Sequence, residues 1–185
     1  MLVNGKPGNS ISIRDRGLLY GDGVFRTLCA SQGKAQHWPL HYQKLRQDCT
    51  ALGIACPDIA LLTQELNGLL ARHPAAVLKL IVTRGEGARG YAPPAKAAPT
   101  HLWDVSPTPE NPANWATRGI EARLCQLRLS HQPRLAGIKH LNRLEHVLAA
   151  AEWSDANIAE GILLDERDYV IGGTRSNLFM VYDGM

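Results

Sequence analysis

Apolar and polar positions in the first hundred residues predict a mixed chain of short strands and two helices. Asn4–Gly5 is a hairpin turn signal, and alternation over Ile11–Ile13 predicts a strand. A helix is predicted from Pro39 to a stop at Gly53, and a second helix after an Asp58 cap. Further strands are predicted over Val24–Ala30, Ala35–Trp38, Ala76–Thr83 and His101–Val105.

A proline-rich stretch, Ser106–Pro112, separates this part from a second pattern. Prolines stiffen a chain and disfavour regular elements, so we place a domain boundary there. The fold class is therefore α/β of the α+β type, with an N-terminal α+β domain at 1–106, a linker at 107–117 and a β-rich domain at 118–185. The second domain is predicted to contain a strand over Gly119–Leu127, an amphipathic helix over Leu141–Trp153, a hairpin of Gly161–Leu164 with Tyr169–Ile171, and a strand over Asn177–Tyr182.

Asp183–Gly184 is a two-residue hairpin signal that no strand follows. A turn without a returning strand leaves an open sheet edge. We therefore expect an incomplete second domain and a truncated chain, or else a partner chain that covers the edge.

Composition and charge narrow the classes of function. The 185 residues are 45% hydrophobic and 20% charged, as in a globular protein. The net charge is only +3, and the lysines and arginines are scattered among acidic residues, which argues against a nucleic-acid binder. No apolar run reaches the ~20 residues of a membrane span, and the N-terminus lacks the features of a secretion signal. The four cysteines show no metal-ligand spacing, so we predict no metal site and reduced thiols in the cytoplasm.

A glycine-rich segment, Gly85–Gly90, satisfies the spacing of a dinucleotide-binding loop. That function needs a helix to begin at the loop, and Pro93 with Pro94 disfavours one. A loop that presents Arg89 and Tyr91 to an anionic ligand is the better interpretation. An ordinary surface loop is the alternative.

Lys139 lies between an apolar stretch and what we predict to be the first turn of a helix. Desolvation, the positive end of the helix dipole and the nearby Arg143 would all lower the pKa of its amine and favour a nucleophile. The local sequence alone favours a commoner structure, a lysine whose stem packs while its ammonium reaches water. The corner Gly172–Asn177 could bind an anion or a polar ring, or could simply form a turn.

Taken together, four segments resemble the fold-type IV family of pyridoxal phosphate enzymes. They occur in the family's order and spread across nearly the whole chain. The segments are Arg14–Gly17 with Tyr20–Phe25, Thr83–Tyr91, Gly137–Glu145 and Thr174–Phe179. Within the family, the likeness is greatest to the aminodeoxychorismate lyases. Three features favour the lyases over the related aminotransferases: Gly137–Glu145, the loop with Arg89 and Tyr91, and Thr27.

The resemblance implies a two-domain enzyme, usually a homodimer, with pyridoxal 5'-phosphate in the cleft between its domains. Lys139 would bind the cofactor covalently and act as the catalytic base. The resemblance implies other cofactor-binding positions at Lys44, Arg143, Gly172, Ser176 and Asn177, and substrate-binding positions at Thr27, Arg89 and Tyr91. Lys44 stands where the family usually has arginine, and Gly172 where it usually has glutamate.

The implied reaction converts 4-amino-4-deoxychorismate to 4-aminobenzoate and pyruvate, a step towards folate. An aminotransferase of the same fold, acting on D-amino or branched-chain acids, is the close alternative. A cofactor-free remnant that serves as a dimerising or binding module is the alternative from another class.

Overall fold

The computed structural model describes residues 1–110, 112 and 114–183. These form two compact units. The first comprises Met1–Pro109 with Gly137–Leu141, and the second comprises Glu110–Ala136 with Asn142–Met185. The break after Pro109 lies inside the predicted linker, whereas Gly137–Leu141 returns to the first unit. The sequence-based division at 106, 117 and 185 stays a prediction.

The first unit is built on an antiparallel sheet with helices α1 (Arg16–Tyr20), α2 (Trp38–Leu52) and α3 (Ile59–Leu70). Its strands are β1 (Leu2–Val3), β2 (Lys6–Pro7), β3 (Gly23–Ser31), β4 (Lys34–Ala35), β5 (Ala76–Thr83) and β6 (Thr100–Ser106). Their order in the sheet is β2-β1-β6-β5-β3-β4. This confirms the predicted hairpin at Asn4–Gly5 and the three longer predicted strands.

The local signals for α2 and α3 also act as predicted. Gly53 ends α2 in the left-handed conformation with φ of 63°, which glycine adopts without a steric penalty. Asp58 caps α3 by accepting a hydrogen bond from the backbone N–H of Ala60 at 2.7 Å. Both helices therefore start or stop where their sequence signals are.

Alternation along β3 divides the sheet into a buried and an open face. Val24 and Leu28 are fully buried on the side that packs against helix α2, with Leu45 of that helix. Successive side chains of a strand point to opposite faces, so Phe25 and Thr27 lie on the other, more accessible face. Side chains on this open face of β3 can therefore contact a ligand.

Residues Lys139–Leu141 complete this strand at its free edge. The N–H of Phe25 donates to the carbonyl of Lys139 at 2.9 Å, and the N–H of Leu141 donates to the carbonyl of Gly23 at 3.0 Å. Gly23 fits here because a Cβ at this position would lie 2.6 Å from the carbonyl oxygen of Val82. An edge that would otherwise expose unpaired backbone groups is thereby covered.

In its described residues, the second unit has two short helices and a three-stranded sheet. Its elements are α4 (Trp115–Arg118), β7 (Glu121–Leu129), α5 (Leu144–Ala150), β8 (Ile158–Asp165) and β9 (Val170–Gly173). Strands β7 and β8 are parallel, and β8 and β9 form the predicted hairpin. Cys125, Ala149 and Leu163 form its buried core, against which Trp153 packs.

Two predicted elements differ from the structure: one strand is absent, and one helix begins later than predicted. Ile11–Ile13 is not a strand, because the Ser12 carbonyl and hydroxyl accept from Asp15 and Arg14 and form a turn into α1. The predicted helix over Leu141–Trp153 begins only at Leu144. His140 instead forms a β-bridge with Val24, and the Leu141 N–H donates to the carbonyl of Gly23, so the chain here is paired with β3.

Two further strand predictions are corrected. The strand over Ala35–Trp38 stops at Ala35, since Trp38 already begins α2. Asn177–Tyr182 has no regular structure, because no strand in the described ranges supplies hydrogen bonds to it. The predicted turn at Asp183–Gly184 lies outside the described residues, since Gly184 is not among them. Within the part of the chain that is described, no helix is long and apolar enough to cross a membrane.

Candidate active site

The backbone of Lys139 is fixed on both sides. Its carbonyl accepts from Phe25 of β3 at 2.9 Å, and its N–H donates to Oδ2 of Asp48 at 3.1 Å. Its ammonium lies over the Phe25 ring, with Nζ 4.8 Å from the ring centroid. Lys139 is therefore an extended residue beside β3 rather than part of the first turn of α5, which corrects the predicted helix-dipole effect on its amine.

Asp48 is the centre of an ionic cluster beneath this segment. Its side chain is only 1% exposed, and it forms ion pairs with the guanidinium of Arg26 and the ammonium of Lys44. Lys44 Nζ lies 2.7 Å from Asp48 Oδ1 and donates to the carbonyl of Gly137 at 2.8 Å. One carboxylate thus links strand β3, helix α2 and the segment that carries Lys139.

This cluster suits an anionic group. Arg26 and Lys44 share the single charge of Asp48, so the cluster retains a net positive charge. In the part of the chain that is described, buried Arg26 Nε has no hydrogen-bond partner. Burial, followed by the charges of Arg26, His37 and Lys139, lowers the pKa of His41 on the same helix. A surplus of cations and a buried unsatisfied donor fit a phosphate, and the amine of Lys139 fits an aldehyde.

Thr27 lies on the open face of β3, two residues beyond Phe25. Two residues of a strand span about 7 Å, and their side chains point the same way. The Phe25 ring contacts the ammonium of Lys139 and also that of Lys79, which lies 5.0 Å from the ring centroid. The structure therefore brings Thr27 to the same face as the amine of Lys139.

Arg89 and Tyr91 lie in an exposed loop that follows β5. No helix begins in this loop, so it lacks the helix N-terminus that a dinucleotide-binding turn uses. Arg89 is exposed, and Tyr91 is 84% exposed. The loop can thus present a cation and a phenol to a ligand, as the sequence predicts.

The corner after β9, in the second unit, is organised by a carboxylate that the sequence analysis missed. Glu160 is 4% exposed and accepts from the Ser176 hydroxyl at 2.6 Å and from the N–H groups of Gly161 and Thr174 at 2.9 Å. Burial alone would raise the pKa of Glu160, but hydrogen bonds from Ser176 and Thr174 lower it overall. Glu160 therefore stays an anion that holds the corner together.

Gly172 adjoins this corner and has room for a side chain. A Cβ at Gly172 would meet only the carbonyl oxygen of Ser176, at 3.8 Å, whereas one at Gly173 would lie 2.5 Å from the Ser176 hydroxyl and 2.9 Å from Glu160. Asn177 is exposed beyond the corner. Arg143 precedes α5, and its Nη1 lies 3.5 Å from His146 Nε2.

Three site residues escaped sequence analysis, yet each carries a recognisable signal. Arg26 alternates with Val24 and Leu28 on the buried face of a predicted strand, and Asp48 lies between Leu45 and Cys49 on the buried face of α2. Glu160 lies on β8 beside the apolar run that begins at Gly161. Charged residues on an apolar face are almost never fully buried unless they are paired, so these positions indicate an ionic or hydrogen-bonded cluster.

Comparison with known proteins identifies the family of the chain. The Amino-transferase class IV family profile matches residues 23–185. The chain belongs to the aminotransferase class IV family. Its similarity to an aminodeoxychorismate lyase from Vibrio harveyi is 35% identity over 181 residues, which cover 98% of this chain and 67% of the relative.

Solved structures of similar proteins show the same fold. A crystal structure of 4-amino-4-deoxychorismate lyase from Pseudomonas aeruginosa is 49% identical with a TM-score of 0.93, covering 99% of this chain and 67% of that one. The branched-chain amino acid aminotransferase from Escherichia coli is 22% identical with a TM-score of 0.79, covering 95% and 59%. The last likeness concerns the fold alone. This class IV chain thus spans about three fifths to two thirds of these relatives' length.

Proposed function

We propose that this chain is a pyridoxal phosphate-dependent lyase that converts 4-amino-4-deoxychorismate to 4-aminobenzoate and pyruvate, a step towards folate. The observation that carries the proposal is the position of Lys139, whose backbone is fixed by Phe25 and Asp48 and whose amine lies over an aromatic ring on an open sheet face. The lyases at 35% and 49% identity support this choice of reaction.

In this proposal Lys139 would hold pyridoxal phosphate, while Lys44 and Arg26 would neutralise its phosphate. The bound cofactor supplies an electron sink for negative charge at the substrate carbon. The Lys139 amine, set free when the substrate amine takes its place, would take the proton from that carbon as general base. Arg89 would bind a substrate carboxylate, since guanidinium pairs with carboxylate in two parallel hydrogen bonds. Tyr91 and Thr27 would complete the substrate site, and Arg143, Ser176 and Asn177 would contribute to cofactor binding.

The products test this reaction directly. The chain is incubated with pyridoxal phosphate and 4-amino-4-deoxychorismate, and 4-aminobenzoate and pyruvate are measured by chromatography. The lyase proposal predicts equal amounts of both products. An aminotransferase of the same fold, the second candidate that the class IV membership supports, would instead convert a D-amino or branched-chain acid to its keto acid. Keto acid without 4-aminobenzoate would overturn the lyase assignment.

Gly172 gives a test of the cofactor's ring nitrogen. Pyridoxal phosphate enzymes tune the cofactor with a charged partner at that nitrogen, and Gly172 stands at the position where the family usually has glutamate. We expect Gly172→Glu to fold like the parent, because the site has space for a side chain. The 4-aminobenzoate rate should rise roughly tenfold, the effect of about 1.4 kcal/mol in the barrier.

The neighbouring glycine provides the steric control. Gly172→Ala should change the free energy of unfolding by less than about 0.5 kcal/mol, whereas Gly173→Ala forces a Cβ against Ser176 and Glu160 and should cost about 1–3 kcal/mol. Urea unfolding measures both. A folded Gly172→Glu variant with an unchanged rate would rule out position 172 as a determinant of cofactor chemistry.

We further propose a cytoplasmic homodimer. All four cysteines are free, which suits a reducing compartment. Exposed apolar side chains support self-association. They include Leu18 and Leu19 of α1 in the first unit and Leu144, Val147 and Leu148 of α5 in the second.

A further inference from the structure

The loop that carries Arg89 and Tyr91 is held by a buried arginine outside the predicted site. Arg16 of α1 is 3% exposed. Its Nη1 donates to the carbonyl of Gly90 at 3.0 Å and lies 3.4 Å from that of Ala92, and its Nη2 donates to the carbonyl of Tyr91 at 2.7 Å. One guanidinium thus binds three consecutive carbonyls of the loop.

The other edge of the guanidinium is anchored. Arg16 Nε donates to Asp22 Oδ2 at 2.8 Å, and the same carboxylate accepts from Arg84 Nε at 2.8 Å. Burial would raise the pKa of Asp22, but hydrogen bonds from Arg84 and Arg16 lower it overall. Asp22 therefore stays charged and fixes the plane of the fork, so that its two Nη atoms point towards the loop.

Tyr20, one turn along α1, extends the same support to the Tyr91 side chain and the Gly90 N–H. Arg16 Cζ lies 4.9 Å from the Tyr20 ring centroid, and the Tyr20 and Tyr91 rings make an edge contact at 5.3 Å. The Tyr20 hydroxyl accepts from the Gly90 N–H at 3.3 Å. Gly87, in the same glycine-rich segment, leaves room for the Arg16 side chain, since a Cβ at this position would lie 2.9 Å from Arg16 Cδ.

We propose that Arg16 is a positioning residue for substrate recognition, which it controls by fixing the backbone from Gly90 to Ala92. All its loop contacts are to main-chain oxygens, so the side chains of Arg89 and Tyr91 are left to project from a fixed backbone. A planar fork can satisfy several carbonyls at once, whereas a lysine ammonium cannot reproduce that geometry. The role in recognition rests on the proposed function, while the role in fixing the loop does not.

Trypsin tests the loop directly, because it cleaves after the exposed Arg89 only when the surrounding backbone opens. In Arg16→Lys we expect cleavage at Arg89 to be about fivefold to tenfold faster than in the parent chain. Cleavage after Lys34, the exposed first residue of the two-residue edge strand β4, is the internal reference and should not change. Arg14→Lys, the same substitution at an exposed arginine two residues earlier, should match the parent at both sites.

Kinetics then separate recognition from catalysis. In the chain loaded with pyridoxal phosphate, Arg16→Lys should raise KM for 4-amino-4-deoxychorismate about tenfold and change kcat less than about threefold, the pattern of lost binding rather than lost chemistry. An equal fall in kcat with KM unchanged would overturn the role in recognition. If no variant forms 4-aminobenzoate while Arg89 is cleaved faster, the proposed function fails and the positioning of the loop stands.

Should Arg16→Lys fail to fold, Tyr20→Phe provides the same test with a smaller change. It removes the hydroxyl that accepts from Gly90 but keeps the ring between Arg16 and Tyr91. We expect cleavage after Arg89 to rise about twofold to threefold relative to Lys34. An unchanged ratio in a folded variant, whether Arg16→Lys or Tyr20→Phe, would overturn the proposal.

Discussion

Lys139→Ala is expected to lose lysine-bound cofactor and product formation together while keeping the fold. The hydrogen bonds of its backbone N–H and carbonyl to Asp48 and Phe25 do not involve the side chain, so alanine can retain them. The amine is the group that would bind pyridoxal phosphate and move the substrate proton. Loss of a general base alone costs roughly 10²–10⁴-fold in rate. The measurements are the near-visible absorbance with pyridoxal phosphate and the rate of 4-aminobenzoate release.

Lys79→Ala is the matched control for this experiment. Its ammonium lies over the same Phe25 ring, at 5.0 Å from the centroid compared with 4.8 Å for Lys139, but Lys79 belongs to β5. We expect Lys79→Ala to keep both the absorbance and the product. If the Lys139→Ala variant kept both the absorbance of lysine-bound cofactor and the formation of product, the assigned role of Lys139 would be contradicted.

The second large effect is expected at Asp48, this time in stability. Asp48→Ala removes the carboxylate that pairs Arg26 with Lys44 and binds the N–H of Lys139. Breaking a buried ion pair by removing one partner costs about 3–5 kcal/mol, because the remaining charge is left buried. Domains are stable by only about 5–15 kcal/mol, so a large part of the free energy of unfolding should be lost.

Asp58→Ala gives the comparison for Asp48. Asp58 is exposed and caps α3, and loss of a cap costs about 1 kcal/mol. Urea unfolding of the two variants should therefore give a clearly larger loss of unfolding free energy for Asp48→Ala. Equal losses would mean that the Arg26–Asp48–Lys44 cluster is not a buried ionic centre.

The elements that the sequence predicts well are those with local signals. Gly53 and Asp58 mark helix ends through the conformation of one residue and one side-chain hydrogen bond. The long strands of the first unit follow from their apolar patterns. These signals act over a few residues, so they do not depend on which distant segments pack against the element.

The elements that the sequence mispredicts depend on distant partners. Leu141 fits the periodicity of α5, but its N–H is bound by Gly23, more than a hundred residues away. Asn177–Tyr182 alternates as a strand does, yet a strand forms only where another strand supplies hydrogen bonds. Local pattern cannot determine either outcome.

The candidate site shows the same division. Lys139, Lys44, Arg89 and Tyr91 were predicted from the family resemblance, because they lie in its motifs. Asp48 and Arg16 could not be assigned from spacing, since each acts on residues that are distant in sequence: Lys139 for Asp48, and Gly90 to Ala92 for Arg16. Their burial is the physical sign of a role, and it becomes visible only once the sheet brings these segments together.

Covalent trapping tests the central claim most directly. The chain is incubated with pyridoxal phosphate, reduced with borohydride and digested, and the peptides are identified by mass spectrometry. We predict one main modified site, at Lys139, with little label at Lys44 or Lys79. Label spread over exposed lysines, or its absence from Lys139, would contradict the account.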